Sequence, residues 1–130
     1  MIVADSDVLI DSLRGRQPAA GRVALELRTG SLATTVVNAF ELLSGAKSAK
    51  ERHKVETLLA ALAILPLDER SARTAAAIRR QLEAQGETIG MADYLIAGIC
   101  LERSAILLTR NRGHFERVPG LSLGDWTGGK

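Results

Sequence analysis

Four carboxylates and one amide stand where apolar segments of this chain break off. Asp5 and Asp7 follow Met1-Ile2-Val3-Ala4, Glu41 lies within Phe40-Glu41-Leu42-Leu43, and Asp93 lies within Met91-Ala92-Asp93-Tyr94-Leu95-Ile96. Asn111 follows another apolar run, in Leu108-Thr109-Arg110-Asn111. If such acids gathered at ~4–5 Å, each like-charged pair would repel by roughly 3–4 kcal/mol at an effective dielectric near 20. Such a cluster calls for something positive, and oxygen donors of this kind suit a hard divalent cation such as Mg²⁺, with Mn²⁺ as a substitute. The two histidines, His53 and His114, do not cluster with the single cysteine, Cys100, so a zinc site does not fit. No Ser-His-Asp or Cys-His arrangement is readable. Hydrolysis of a phosphate ester by metal-activated water is the reaction class that remains.

The elements that must position these residues follow from periodicity. Ile2–Ala4, Leu32–Thr34, Ala63–Leu65, Ile106–Thr109 and Leu121–Leu123 read as short buried strands. Between them, Ala20, Val23, Ala24 and Leu27 recur at helical spacing, as do Val55, Leu58, Leu59 and Leu62. Ala75, Ile78 and Leu82 mark a further helix that Gly86 should end, and Ala92, Leu95, Ile96 and Ile99 mark a more apolar one. Strands alternating with helices predict an α/β fold: a three-layer α/β/α sandwich around a mainly parallel sheet. In such a sheet the helix starts gather at the carboxyl edge of the strands, where ligands bind. Asp5 and Asp7 should begin the first helix, Glu41 should lie about two turns into another, and Asp93 should open the helix that leads to Ile106–Thr109.

Size and composition set the outer bounds. The chain has 130 residues, so residues 1–130 are most simply one domain. Hydrophobic residues make up 46% and aromatic residues only 3%, which predicts an aliphatic, alanine-rich core. A net charge of +2 permits an anionic partner without demanding one. A lone Cys100 in an apolar helical pattern excludes a disulfide framework and suits a reducing compartment. No stretch has the ~18 continuous apolar residues a membrane span needs, and no signal-peptide pattern opens the chain. A cytoplasmic protein without membrane contact is expected.

The acidic segments carry a resemblance. Ile2-Val3-Ala4-Asp5-Ser6-Asp7-Val8-Leu9-Ile10-Asp11 resembles the opening motif of PIN-domain nucleases. Val36-Val37-Asn38-Ala39-Phe40-Glu41-Leu42-Leu43-Ser44-Gly45 resembles their second motif. Ala92-Asp93-Tyr94-Leu95-Ile96-Ala97 is similar to the third, and Leu108-Thr109-Arg110-Asn111-Arg112-Gly113-His114-Phe115 to the fourth. The match spans nearly the whole chain and looks most like VapC-type toxins of type II toxin–antitoxin modules. The resemblance implies a PIN-like fold and a Mg²⁺-dependent endoribonuclease. It implies that Asp5, Glu41 and Asp93 ligate the ion, while Ser6, Thr109 and Asn111 help hold ion or phosphate. It also implies an RNA substrate, a homodimer and a separate cognate antitoxin whose tail would occlude the crevice.

Other readings stay open at this level. The family more often has Asn where Asp7 stands, so Asp7 is either a supplementary acid or a first-turn residue favoured by the helix dipole. Asn111 either meets the site or caps the turn before His114. Singly, Asp5 or Ser6 could be an N-cap, Glu41 a salt-bridge partner and Asp93 a first-turn charge. Glu41 is the hardest to explain blandly, because a mid-helix residue cannot cap. Arg110 and Arg112 beside the crevice are the best candidates for RNA phosphates, ahead of Arg14 and Arg16. The run Lys47–Lys54 reads as a solvated helix face, His114 as structural above Phe115, and Cys100 as core. Trp126 reads as a packing residue, and the phosphate-loop-like run Gly124–Lys130 lacks the following helix such a loop requires. A haloacid-dehalogenase-like phosphatase would use Asp5 as nucleophile. A non-catalytic receiver or binding module would use Asp68 and Thr109. The phosphatase would want a late pair of acids where this chain has Asp93 alone, and the receiver reading leaves Glu41 without a role.

Overall fold

A computed structural model of the chain describes residues 1–125; Trp126 and the tail through Lys130 lie outside the described residues. Five strands form the sheet: Ile2–Ala4 (β1), Leu32–Thr35 (β2), Ala63–Leu65 (β3), Ile106–Leu108 (β4) and Ser122–Leu123 (β5). Their order is β3-β2-β1-β4-β5 and every pairing is parallel. The helices are Ser6–Leu13 (α1), Ala19–Thr29 (α2), Val36–Gly45 (α3), Ala49–Ala60 (α4), Glu69–Gln85 (α5), Met91–Glu102 (α6) and Arg112–Phe115 (α7).

Successive strand residues point to opposite faces, and the core divides accordingly. Val3 and Leu107 pack with Ala75, Ile78, Leu82, Ile96 and Ile99 of α5 and α6. Their neighbours Ala4 and Leu108 pack with Val8, Leu9, Val23, Leu42, Val55 and Leu59 of α1 to α4. The result is the expected three-layer sandwich. Cys100 is a core residue, fully buried, and burial pushes its thiol up to about 12. Among the described residues no helix is long and apolar enough to cross a membrane.

The register places the site. Ala4 pairs with Leu108, and Thr35 with Leu65, so neighbouring strands end level at one edge. The helix starts there are capped by side chains. Asp5 caps α1, Thr35 and Asn38 form a capping box on α3, and Asp93 reaches back to the Gly90 N–H at the start of α6. Gly86, at φ 71°, ends α5 as its position predicts.

The differences from the sequence reading lie in short elements. β2 runs one residue further than expected, β4 ends one residue before Thr109, and β5 begins at Ser122. No periodicity announces α7, a single turn too short to show one.

Candidate active site

Asp5 leaves β1 at the sheet's carboxyl edge, its backbone N–H bonded to Leu108 O at 2.9 Å. Its carboxylate is 7% exposed and well supplied with donors. Oδ1 accepts from the Ser6 N–H at 2.8 Å and the Asn38 amide at 2.9 Å, and Oδ2 accepts from the Thr109 hydroxyl at 2.7 Å. Burial raises the Asp5 pKa and the Asp93 charge adds to it, while these hydrogen bonds pull the other way. The balance is upward. Asp5 thus serves as cap and site residue together, because helix starts and the crevice share one edge.

Glu41 joins Asp5 through neutral groups. Its Oε1 accepts from the Ser6 hydroxyl at 2.7 Å, and that hydroxyl accepts from the Asn38 amide at 2.9 Å. The same amide stands 3.5 Å from Oε1. Asn38 is fully buried, and its own oxygen accepts from the Thr35 hydroxyl at 2.7 Å, which fixes which way the amide faces. The apolar neighbours of Glu41 do not bury it: Phe40 is 70% exposed and Leu43 is 36% exposed, and only Leu42 points into the core.

Asp93 joins the site from α6. Its Oδ2 accepts from the Gly90 N–H at 3.2 Å and lies 2.9 Å from His114 Nδ1. Asn111 touches the same Nδ1 at 3.1 Å, and its backbone N–H donates to Thr109 Oγ1 at 2.9 Å. A chain of contacts therefore runs Glu41–Ser6–Asn38–Asp5–Thr109–Asn111–His114–Asp93. The acids do not abut; hydroxyls, amides and an imidazole stand between them.

Several expectations change in detail. Asp7 is neither free nor only a dipole charge: it accepts the Arg110 N–H at 3.1 Å and holds the loop after β4. Its pKa is raised to about 6 by burial first and the Asp5 charge second. Asp11, which the sequence reading passed over, pairs with Arg110 at 3.0 Å. Arg110 is therefore anchored, with its side chain 53% exposed, and Arg112 donates to Gly124 O at 2.8 Å. Thr109 is fully buried and serves Asp5. The Asn111 side chain makes no capping bond to α7 but contacts His114. His114 is tied to Asp93 rather than being only a structural residue above Phe115. Asp68 caps α5 through the Ser71 N–H, and Lys47–Lys54 is exposed throughout. Arg16 approaches Asp11 at 3.9 Å and Arg14 lines a groove beside Glu41.

Asn38, Asp11 and His114 are the residues the sequence reading missed or misjudged. A signal existed for each: Asn38 is three before Glu41, Asp11 four after Asp7, and His114 three after Asn111. Those spacings share a helix face.

Among the described residues no Lys or Arg pairs with Asp5, Glu41 or Asp93. Nor do three His, Cys, Asp or Glu side chains among them converge as a ready-made metal cage. The donor chemistry still fits a hard divalent ion, since Mg²⁺ binds through one or two carboxylates and keeps several waters. Beside Glu41 runs a groove of about 190 Å³, lined by Ile10, Leu13, Leu42 and Val55 together with Arg14, Glu51 and Lys54.

The parallel sheet carries Asp5 and Asp93 on helix starts and Glu41 within α3 at one edge, and the PIN family model matches residues 2–121. The chain belongs to the PIN domain family. Within it, the chain stands with the VapC proteins. It is 39% identical over 115 residues to Ribonuclease VapC10 of Mycobacterium tuberculosis, covering 88% of this chain and 86% of that protein. It is 32% identical over 127 residues to the tRNA(fMet)-specific endonuclease VapC of Shigella flexneri, covering 95% and 96%. Among solved structures it is similar to VapBC2 from Rickettsia felis bound to a promoter DNA fragment. That match has a TM-score of 0.87 at 25% identity and covers 97% of this chain and 99% of the other. DNA-bound VapBC from Salmonella typhimurium matches with a TM-score of 0.85 at 27% identity over 96% and 97%. Nothing in these similarities supports the phosphatase or receiver readings.

Proposed function

We propose that this chain is a Mg²⁺-dependent endoribonuclease, the toxin of a toxin–antitoxin pair, hydrolysing RNA phosphodiesters in the cytoplasm. The observation that carries the reading is the hydrogen-bonded chain joining Glu41, Asp5 and Asp93 at the sheet's carboxyl edge, with no Lys or Arg among the described residues paired to them. Relatives named as ribonucleases supply the substrate class. Asp5, Glu41 and Asp93 would hold Mg²⁺, or Mn²⁺ in its place. The chemistry such an ion supplies when bound is acidification of a water and neutralisation of charge building on the phosphate.

The protein's own groups orient the carboxylates. Thr109 and Asn38 fix Asp5, and Ser6 fixes Glu41. Asn111 acts through Thr109 and His114. Arg110 and Arg112 at the rim are assigned to the RNA backbone, whose phosphates need cations flanking the cut. Their anchoring on Asp11 and Gly124 O holds them in register with the acids.

The partner we assign is a separately encoded antitoxin, as in the VapBC complexes this fold resembles. The largely apolar groove that Glu41 helps to line suits an antitoxin tail, and an arginine on that tail would displace the ion. A homodimer suits Val36, Phe40 and Leu43, one exposed apolar stripe along α3 at 43%, 70% and 36% exposure.

Purified chain incubated with structured RNA and Mg²⁺ should cut it, leaving 3′-hydroxyl and 5′-phosphate ends. Chelation or Asp5→Asn should abolish the cuts. Intact RNA with release of inorganic phosphate from small phosphomonoesters would sink the proposal.

A further inference from the structure

We infer that His114 is a positioning residue for Asp93: its Nδ1–H holds carboxylate oxygen Oδ2, so that Oδ1 is left for a cation. The inference deepens the metal-dependent reading and its affinity arm rests on it. His114 Nδ1 lies 2.9 Å from Asp93 Oδ2 and 3.1 Å from the Asn111 amide. One ring nitrogen cannot donate to the first and accept from the second. The carboxylate takes the proton-bearing nitrogen, because a hydrogen bond to a charged acceptor is the stronger one. The Asn111 amide then turns its oxygen toward the ring, a half-turn that leaves its shape unchanged.

Asp93 Oδ2 also accepts from the Gly90 N–H at 3.2 Å, so one oxygen carries both anchoring contacts. Among the described residues Oδ1 accepts no hydrogen bond. Glu41 shows the same division, with Oε1 engaged by Ser6 and Asn38 and Oε2 by no described residue. Each flanking carboxylate is thus held by one oxygen and presents the other. The Asp93 side chain is 17% exposed and the His114 side chain 44%, so the contact lies at the edge of the crevice rather than inside the core. His114 sits on the short helix α7 and belongs to neither hydrophobic core cluster.

Two measurements test this. ¹⁵N NMR of wild type at about pH 9 should show His114 as the Nδ1–H tautomer. Asp93→Ala should return it to Nε2–H. This arm needs no metal. The second arm measures Mn²⁺ affinity by calorimetry on the purified chain. His114→Ala should weaken binding about tenfold or more, the range for groups that orient a metal ligand. His114→Asn, whose amide nitrogen sits where Nδ1 was, should restore it; His114→Gln, whose nitrogen sits where Nε2 was, should not. Circular dichroism should show all three variants folded. An Nε2–H tautomer in wild type would overturn the inference, as would equal Mn²⁺ affinity in wild type and His114→Ala. Absence of Mn²⁺ uptake by wild type would sink the metal-dependent reading itself and the affinity role with it, leaving the tautomer to report on the contact alone.

Discussion

Asp7 shows how a single residue here carries conflicting duties. It anchors the Arg110 N–H, yet it lies close enough to Asp5 that burial and the neighbouring charge raise its pKa to about 6. A folded-state value above the unfolded one means the native protein binds more protons between those two values. Stability from this group is therefore full below about pH 4 and is lost as pH rises through 6. The loss amounts to roughly 1–2 kcal/mol once discounted for the solvent that reaches the side chain. In chelator, urea unfolding should give Asp7→Asn more stability than wild type at neutral pH and little advantage near pH 4. Parallel pH curves for the two proteins would show that Asp7 carries no such shift. At this scale the sequence was legible for Asp5, Glu41 and Asp93, because a carboxylate at the end of an apolar run stands out. It was less so for Asn38 and His114. A buried amide and an imidazole are ordinary core and surface residues until the contacts they make are known.

The elements divide into those that bury and those that place. α5 and α6 form the tightest pair, and Gly98 is where they meet: a Cβ there would stand 2.5 Å from Ser71 O and 2.9 Å from the Ala75 Cβ. Backbone cannot yield cheaply. Gly98→Ala should destabilise by about 1–3 kcal/mol, the usual range for overpacking, read as a lower urea midpoint at unchanged slope. An unchanged midpoint would mean the two helices separate more freely than their packing suggests. α1 and α3 have the other task. Asp7 and Asp11, one turn apart on α1, grip Arg110 and so fix the loop carrying Thr109 and Asn111. The sequence gives α2, α4, α5 and α6 through their apolar stripes. It shows α1 and α3 mainly through the acids they carry, since their packed and exposed apolar residues blur the period. Phe40 is the clear instance, an aromatic that faces outward.

Across the whole molecule, one sheet edge does all the functional placing. Level strand ends bring Asp5 and Thr109 together from residues 104 apart in the chain. The helix starts crowd in behind them, so capping and site-building use the same side chains. The opposite demand falls on the surface, where Val36, Phe40 and Leu43 remain uncovered in the single chain. If that stripe is the homodimer contact, Phe40→Asp should shift sedimentation from dimer to monomer while leaving Mn²⁺ uptake intact. A wild-type monomer at high concentration would remove the dimer from the account. Periodicity and composition predicted the parallel sandwich, but no pattern in a single sequence shows which apolar residues a second copy covers.

The proposed reaction depends on three negative groups from separate helices serving a divalent cation. Titrating purified protein with MnCl₂ in a calorimeter addresses that directly, beside Asp5→Asn, Glu41→Gln and Asp93→Asn. The account predicts saturable uptake by the unaltered chain, weakened by each replacement. Uptake indifferent to all three, or none at all, would contradict it.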